Sequence, residues 1–272
     1  NLTKAITLNP DDGHAYYFRG YAYMKDGNYK FAELDFKKAL KLMPADAKAY
    51  IGMGDFFDEV GDREKAISWY EKALDIDLTD PNIYNNLGVT YQQMGNAKQA
   101  LVYFNKAIML DSTFSLAYLN RGTARYLNQD VYKANRADIL LAIEDFNQAL
   151  RFKPDMVKAM RNKGAAYRMI DENEQSLKYL KQALQLAPDY YGNHFQLART
   201  YYKMSDYEKA IDYFSSALKL KPTLAEAYLE RGNAKTKLGY YREALDDQDK
   251  AILNDEDFAA LAHYNKAVNY AL

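Results

Sequence analysis

The feature that most constrains this chain is a repeat of 34 residues, whose cleanest copy is Gly13–Asp46, GHAYYFRGYAYMKDGNYKFAELDFKKALKLMPAD. A unit this short cannot bury its apolar face alone, so a chain built from it folds as a stacked array. Gly20, Gly54, Gly88 and Gly122 stand 34 residues apart; Gly164 follows after 42, Ala198 and Gly232 after 34 each, and Ala267 after 35. Ala32, Ala66, Ala100, Ala142, Ser176, Ala210 and Ala244 keep the same count, as do Ala5, Ala39, Ala73, Ala107, Ala149, Ala183, Ala217 and Ala251. Pro10, Pro44, Pro154, Pro188 and Pro222 share one slot, and Gly27, Gly61, Gly95 and Gly239 share another.

Within one unit the spacing predicts two amphipathic helices. Tyr16, Arg19, Gly20 and Tyr23 mark one face, and Ala32, Phe36, Ala39 and Leu40 mark a second. Asp26-Gly27-Asn28 between them is a turn signal, and Pro44 stops the second helix. The small residues Gly20 and Ala32 fall where the helices should cross, which lets the backbones approach closely.

Composition narrows function more than fold. A net charge of −1 gives no pull toward nucleic acid or an anionic membrane. The absence of cysteine removes disulfides, thiolate metal sites and cysteine nucleophiles. No run of about 18 apolar residues is present to insert into a membrane. His14, His194 and His263 lack metal-ligand spacing, and His194 and His263 fill a slot that holds Tyr16, Tyr50, Tyr84, Tyr118 and Tyr228 elsewhere. Asp75, Asp77 and Asp80 lack the central Gly and terminal Glu of a calcium loop. Asp246, Asp247 and Asp249 read as a solvated helix face. No catalytic residues, metal site or cofactor site are expected, and the chain reads as a non-enzyme.

A period of 34 carrying aromatic, small, aromatic, Ala, aromatic, Ala and Pro in this order resembles the tetratricopeptide repeat. The resemblance covers essentially the whole chain. It implies an all-α fold, an α–α superhelix in which antiparallel helix pairs form a right-handed solenoid and first helices line a concave groove. The register gives full repeats at 13–46, 47–80, 81–114, 115–156, 157–190, 191–224 and 225–259, with half repeats at 1–12 and 260–272. The fourth carries an eight-residue insertion, with Asn128-Gln129-Asp130 as its turn and Lys133–Asp138 as an early start to the second helix. It reads either as a tolerated surface extension or as a lip on the groove. One continuous solenoid over 1–272 is the expected domain organisation. Both ends cut a repeat in half, so the expectation is a piece of a longer array; open ends would permit self-association.

The core aromatics take positions 4 and 11 of each first helix, and the small residue takes position 8. Positions 2, 5, 6, 9, 12 and 13 form a second stripe, which the resemblance places in the groove. Asn86, Asn120 and Asn162 share position 6, followed there by Gln196. A carboxamide carries both donor and acceptor and can hold a peptide backbone without reading its side chains. An extended chain advances about 3.3 Å per residue and neighbouring helices pack about 8–10 Å apart, so one amide per repeat would grip every third residue. The same stripe carries Asp55, Asp58 and Glu59 early and Lys158, Arg161, Arg168, Arg199 and Lys203 later. Clustered cations on a concave wall raise the local concentration of an acidic partner, and Arg pairs carboxylates bidentately. Polar filler and ordinary surface charge are the plainer readings of both features. The lysine–asparagine clamp that some tetratricopeptide domains use for C-terminal carboxylates is not matched in any three consecutive repeats.

The expected function is a non-catalytic scaffold binding a peptide or protein segment of acidic character in the groove, with Asn86, Asn120, Asn162, Gln196, Lys158, Arg161, Arg168, Arg199 and Lys203 as contacts. The alternative is a regulatory or assembly module of a larger protein. The compartment is not fixed by the sequence; the cytoplasm is the default, with an extracytoplasmic place open if a signal precedes Asn1.

Overall fold

A computed structural model describes residues 1–127 and 135–271. Every regular element among them is helical. In chain order these are α1 (Leu2–Leu8), α2 (Gly13–Lys25), α3 (Tyr29–Leu42), α4 (Ala47–Glu59), α5 (Arg63–Leu74), α6 (Pro81–Gln93), α7 (Ala97–Leu110) and α8 (Ser115–Leu127). Then follow α9 (Arg136–Phe152), α10 (Val157–Met169), α11 (Asn173–Leu186), α12 (Tyr191–Lys203), α13 (Tyr207–Leu220), α14 (Ala225–Lys237), α15 (Tyr241–Asn254), a 3-10 turn at Glu256–Phe258, and α16 (Ala259–Ala271). The chain divides into two compact units, Asn1–Asn128 and Gln129–Leu272. In the first, α2–α3, α4–α5 and α6–α7 are the intimate pairs, and α2, α4, α6 and α8 touch in succession. In the second, α10–α11, α12–α13 and α14–α15 are the intimate pairs, and α10, α12, α14 and α16 touch in succession.

The helix boundaries have local causes. Asp12, Asp46 and Asp80 precede α2, α4 and α6, and their carboxylates accept from the backbone N–H groups of Ala15, Lys48 and Asn82. The turn between paired helices requires a left-handed residue. Gly27, Gly61, Gly95 and Gly239 supply it at φ of 72°, 86°, 77° and 79°, and Asp171 and Ser205 adopt the same conformation at 68° and 61°. The crossing glycines are sterically required: a Cβ on Gly20 would stand 2.8 Å from the Phe36 ring, and one on Gly88 would stand 2.5 Å from the Phe104 ring. Phe36, Phe104, Phe146 and Phe214 are fully buried in the equivalent slot of their repeats.

Two further slots hold stacked tyrosines in three of the helical hairpins. Tyr91 stacks on Tyr103, Tyr167 on Tyr179 and Tyr201 on Tyr213, at 5.3, 5.7 and 5.4 Å between ring centroids. These first-helix tyrosines pack against their own second helix, while Tyr270 in α16 is 73% exposed. His194 acts as a substitute tyrosine: its Nε2 lies 2.8 Å from the carbonyl oxygen of Pro188, as the hydroxyl of Tyr50 donates to Pro44 at 3.0 Å and that of Tyr84 to Leu78 at 3.1 Å.

The acidic run in α15 needs correction. Asp247 is not solvated; it is buried, takes a bidentate contact from Arg231 and lies 2.7 Å from Lys235 Nζ. In the fourth repeat α9 spans 17 residues against the 14 of α3, and Asn135 caps it by accepting from Ala137 N at 3.0 Å. The expected turn at Asn128–Asp130 lies outside the described residues, as do Lys133 and Ala134 of the expected early helix.

Candidate binding face

Within each unit, side chains at positions 6, 9 and 12 of several first helices meet side chains of the neighbouring repeat, because those helices touch in succession. In the unit of residues 1–128, the centre of this face is Asp55 on α4. It accepts hydrogen bonds from the hydroxyl of Tyr21 on α2, the hydroxyl of Tyr70 on α5 at 2.6 Å, and Nδ2 of Asn86 on α6 at 2.9 Å. Burial pushes the Asp55 carboxyl above the usual carboxylate range; the tyrosine hydrogen bonds oppose this and the neighbouring Asp58 adds to it. Asp58 accepts from the hydroxyl of Thr90 at 2.9 Å. Asn120 on α8 donates to buried Asn85 at 2.9 Å. All of these groups but Thr90, with Met24, Glu59, Val89 and Leu116, surround a cleft of about 340 Å³. No ion pair reaches Asp55, Asp58 or Glu59 among the described residues.

In the unit of residues 129–272 the same geometry carries opposite charge. Arg168 is buried on α10 and donates from Nη2 to Gln196 Oε1 on α12 at 3.0 Å. Lys203 extends from the end of α12 to the carbonyl of Arg168 and to Asp171 Oδ1, both at 2.6 Å, a cation at a helix C-terminus. Arg199 is held by α14, with Nε 3.1 Å from Glu230 and Nη1 3.5 Å from Glu226. Burial raises the Glu230 carboxyl to about 7; Arg199 opposes that rise and Glu226 adds to it. Arg161 is half-buried, with its guanidinium 4.7 Å above the Tyr190 ring. Lys158 is exposed at the start of α10, and Asn162 is half-buried in the same helix. Arg168, Arg199 and Lys203 line a cleft of about 670 Å³ together with Glu226, Glu230 and Asn233 and with Met169, Tyr202, Leu229, Phe258 and Leu261.

The position-6 side chains brace neighbouring repeats. Asn86 is tied to Asp55, Gln196 to Arg168, and Asn265 on α16 to Asn233 on α14 at 2.8 Å. Sequence reasoning missed that these amides spend hydrogen bonds inside the protein, and it missed Tyr70, a core aromatic whose hydroxyl emerges on this face. A signal for Arg199 was present: Glu230 stands at position 6 of the following repeat, the slot that meets position 9.

Family models for the tetratricopeptide repeat match residues 13–46, 81–114, 155–223 and 195–257, and a TPR repeat model matches 54–95. The chain belongs to the tetratricopeptide repeat family. Its fold is an α–α superhelix of antiparallel helix pairs, and its class is the protein–protein interaction scaffold. Among solved structures it is similar to a chain of the APC/C hetero-tetramer Cut9–Hcn1, at 16% identity and a TM-score of 0.81, over 98% of this chain and 51% of that one. It is also similar to a tetratricopeptide repeat protein from Parabacteroides merdae, at 18% identity and a TM-score of 0.70, over 95% and 98% of the two chains. A third similarity is to pilF of Pseudomonas aeruginosa, at 20% identity and 0.65, over 77% and 92%. The chain thus spans about half the length of the Cut9–Hcn1 relative. No curated protein matches this sequence.

Proposed function

We propose that this chain is a non-catalytic scaffold that holds an extended or helical protein segment of acidic character along the first helices of residues 157–237. The observation that carries the reading is the convergence of three cations, Arg168, Arg199 and Lys203, against two carboxylates, Glu226 and Glu230, on one cleft with apolar walls. Such a cleft offers a partner an apolar anchor and a charge contact within a single site, the combination that concentrates binding energy in interfaces. Arg161, over Tyr190, and exposed Lys158 extend the positive face toward the start of α10. The amides play a smaller part in this reading, since Asn86, Asn120 and Gln196 already serve neighbouring repeats. The repeat register runs in phase through both units apart from the insertion, and we carry the single-array organisation forward as part of the proposal.

The test is charge reversal at partly exposed cations, Arg161→Glu with Lys203→Glu, read by pull-down of partners from the native source. Retained helical signal with loss of acidic partners is the expected result. Unchanged capture by the double variant would sink the proposal.

A further inference from the structure

Arg199 is the central cation of the larger cleft, and it is already occupied. Glu226 and Glu230 stand four residues apart on one face of α14 and both lean onto its guanidinium, at 3.5 and 3.1 Å. The charged groups that act on Glu230 are Arg199, Glu226 and Arg168, and the groups that line the cleft with it come from α10, α12, α14, the 3-10 turn and α16. They include Arg168 from α10; Arg199, Tyr202 and Lys203 from α12; Glu226 and Asn233 from its own helix; and Phe258 and Leu261, which do not titrate, from the 3-10 turn and α16. Two carboxylates share one guanidinium beside apolar walls. The arrangement is what an acidic ligand would build if it docked on Arg199.

We propose that Glu226 and Glu230 occupy Arg199 in place of an acidic side chain of the partner, and that a partner carboxylate displaces them with uptake of one proton by Glu230. This rests on the acidic-partner reading and adds its regulation. No covalent bond changes: the partner carboxylate takes the guanidinium, and Glu230, left without its counter-ion and beside the partner's charge, is neutralised by a proton from solvent. Glu230 is raised to about 7 before the partner arrives, so it is largely charged at pH 8, where it can take up a proton, and largely protonated at pH 6. Loss of Arg199 as a counter-ion drives the carboxyl further toward its protonated form, and linkage then requires tighter binding at lower pH.

A fluorescein-labelled peptide alternating aspartate and leucine is the probe, with the asparagine–leucine peptide as the control for charge. Fluorescence anisotropy at pH 6 and pH 8, at constant ionic strength, should show affinity for the acidic peptide higher at pH 6 by about five- to tenfold. Glu230→Gln should bind at pH 8 as tightly as the native chain does at pH 6 and lose the pH dependence. Calorimetry of the native chain at pH 8, in two buffers of different ionisation enthalpy, should register uptake approaching one proton per peptide. Equal affinity at both pH values, or binding without proton uptake, overturns the coupling and leaves the acidic-partner reading standing. Failure of the native chain, Glu230→Gln and Glu226→Gln/Glu230→Gln to bind the acidic peptide at either pH overturns both.

Discussion

Arg19 grips Asp35 at both ends of its guanidinium, Nε to Oδ2 at 2.6 Å and Nη2 to Oδ1 at 2.8 Å, across the α2–α3 hairpin. Asp35 is buried and Arg19 half-buried. The same two slots hold Leu87 with Tyr103 and Leu197 with Tyr213 in other repeats, so the chain itself contains an apolar solution to the same packing problem. Breaking a buried pair leaves an uncompensated charge, so Asp35→Ala should destabilise by about 3 kcal/mol. Arg19→Leu with Asp35→Tyr should recover most of that loss. Urea denaturation of Arg19→Leu, Asp35→Tyr and the pair gives the coupling energy. A double variant no more stable than Asp35→Ala would show that the slots are not interchangeable.

Ser205 occupies the left-handed turn position that Gly27 takes in the first full repeat, at φ of 61° against 72°. A residue with a Cβ costs about 1–2 kcal/mol there, and the extra freedom of an unfolded glycine returns part of the difference. Ser205→Gly should therefore stabilise the α12–α13 hairpin by about 0.5–1 kcal/mol. Gly27→Ala should destabilise α2–α3 by a similar amount. The rise and fall in thermal midpoint, measured on the full chain, checks both.

The architecture was legible because the repeat writes the same steric requirement several times over. The first helices of the seven full repeats begin at Gly13, Ala47, Pro81, Ser115, Val157, Tyr191 and Ala225, the residues at which the register opens each repeat. What a groove-facing side chain touches was less legible, since it depends on the neighbouring repeat. Arg199 reads as an available cation until Glu226 and Glu230 of the next first helix are set against it. Asp247 reads as surface because its own helix is rich in acids, yet it shares a slot with Asp35, and Arg231 shares one with Arg19. Comparing slots in pairs, instead of one at a time, would have found the buried ion pair.

Glu230 gives folding stability a pH dependence of defined sign. Its carboxyl is raised to about 7 in the folded chain, above the ordinary range it returns to on unfolding. Between those two values the folded state binds more protons, so this group's contribution to stability falls as pH rises and is constant above about 7. Charging Glu230 in its cleft costs up to about 3 kcal/mol across that window. Glu230→Gln should remove this slope, so that the stability gap between variant and native chain widens in the variant's favour from pH 5 to pH 7.5. A constant gap across urea titrations at several pH values would contradict the assignment.

Asp55 ties three helices together, because Tyr21, Tyr70 and Asn86 all donate to it from α2, α5 and α6. Its removal leaves three donors without their acceptor, and each hydrogen bond to a charged group is worth about 1.5–3 kcal/mol. Asp55→Ala should accordingly be the more damaging change, costing about 3–5 kcal/mol once relief of the carboxyl's burial is set against the lost bonds. Tyr70→Phe keeps the packed ring and removes one donor, at about 1–2 kcal/mol. The two remaining donors must then hold a half-buried carboxyl, so Tyr21→Phe on top of Tyr70→Phe should cost more than the sum of the single changes. Hydrogen exchange of α4 amides in the four chains reads this directly. Strict additivity would mean that the hydroxyls act independently and that Asp55 does not couple the helices.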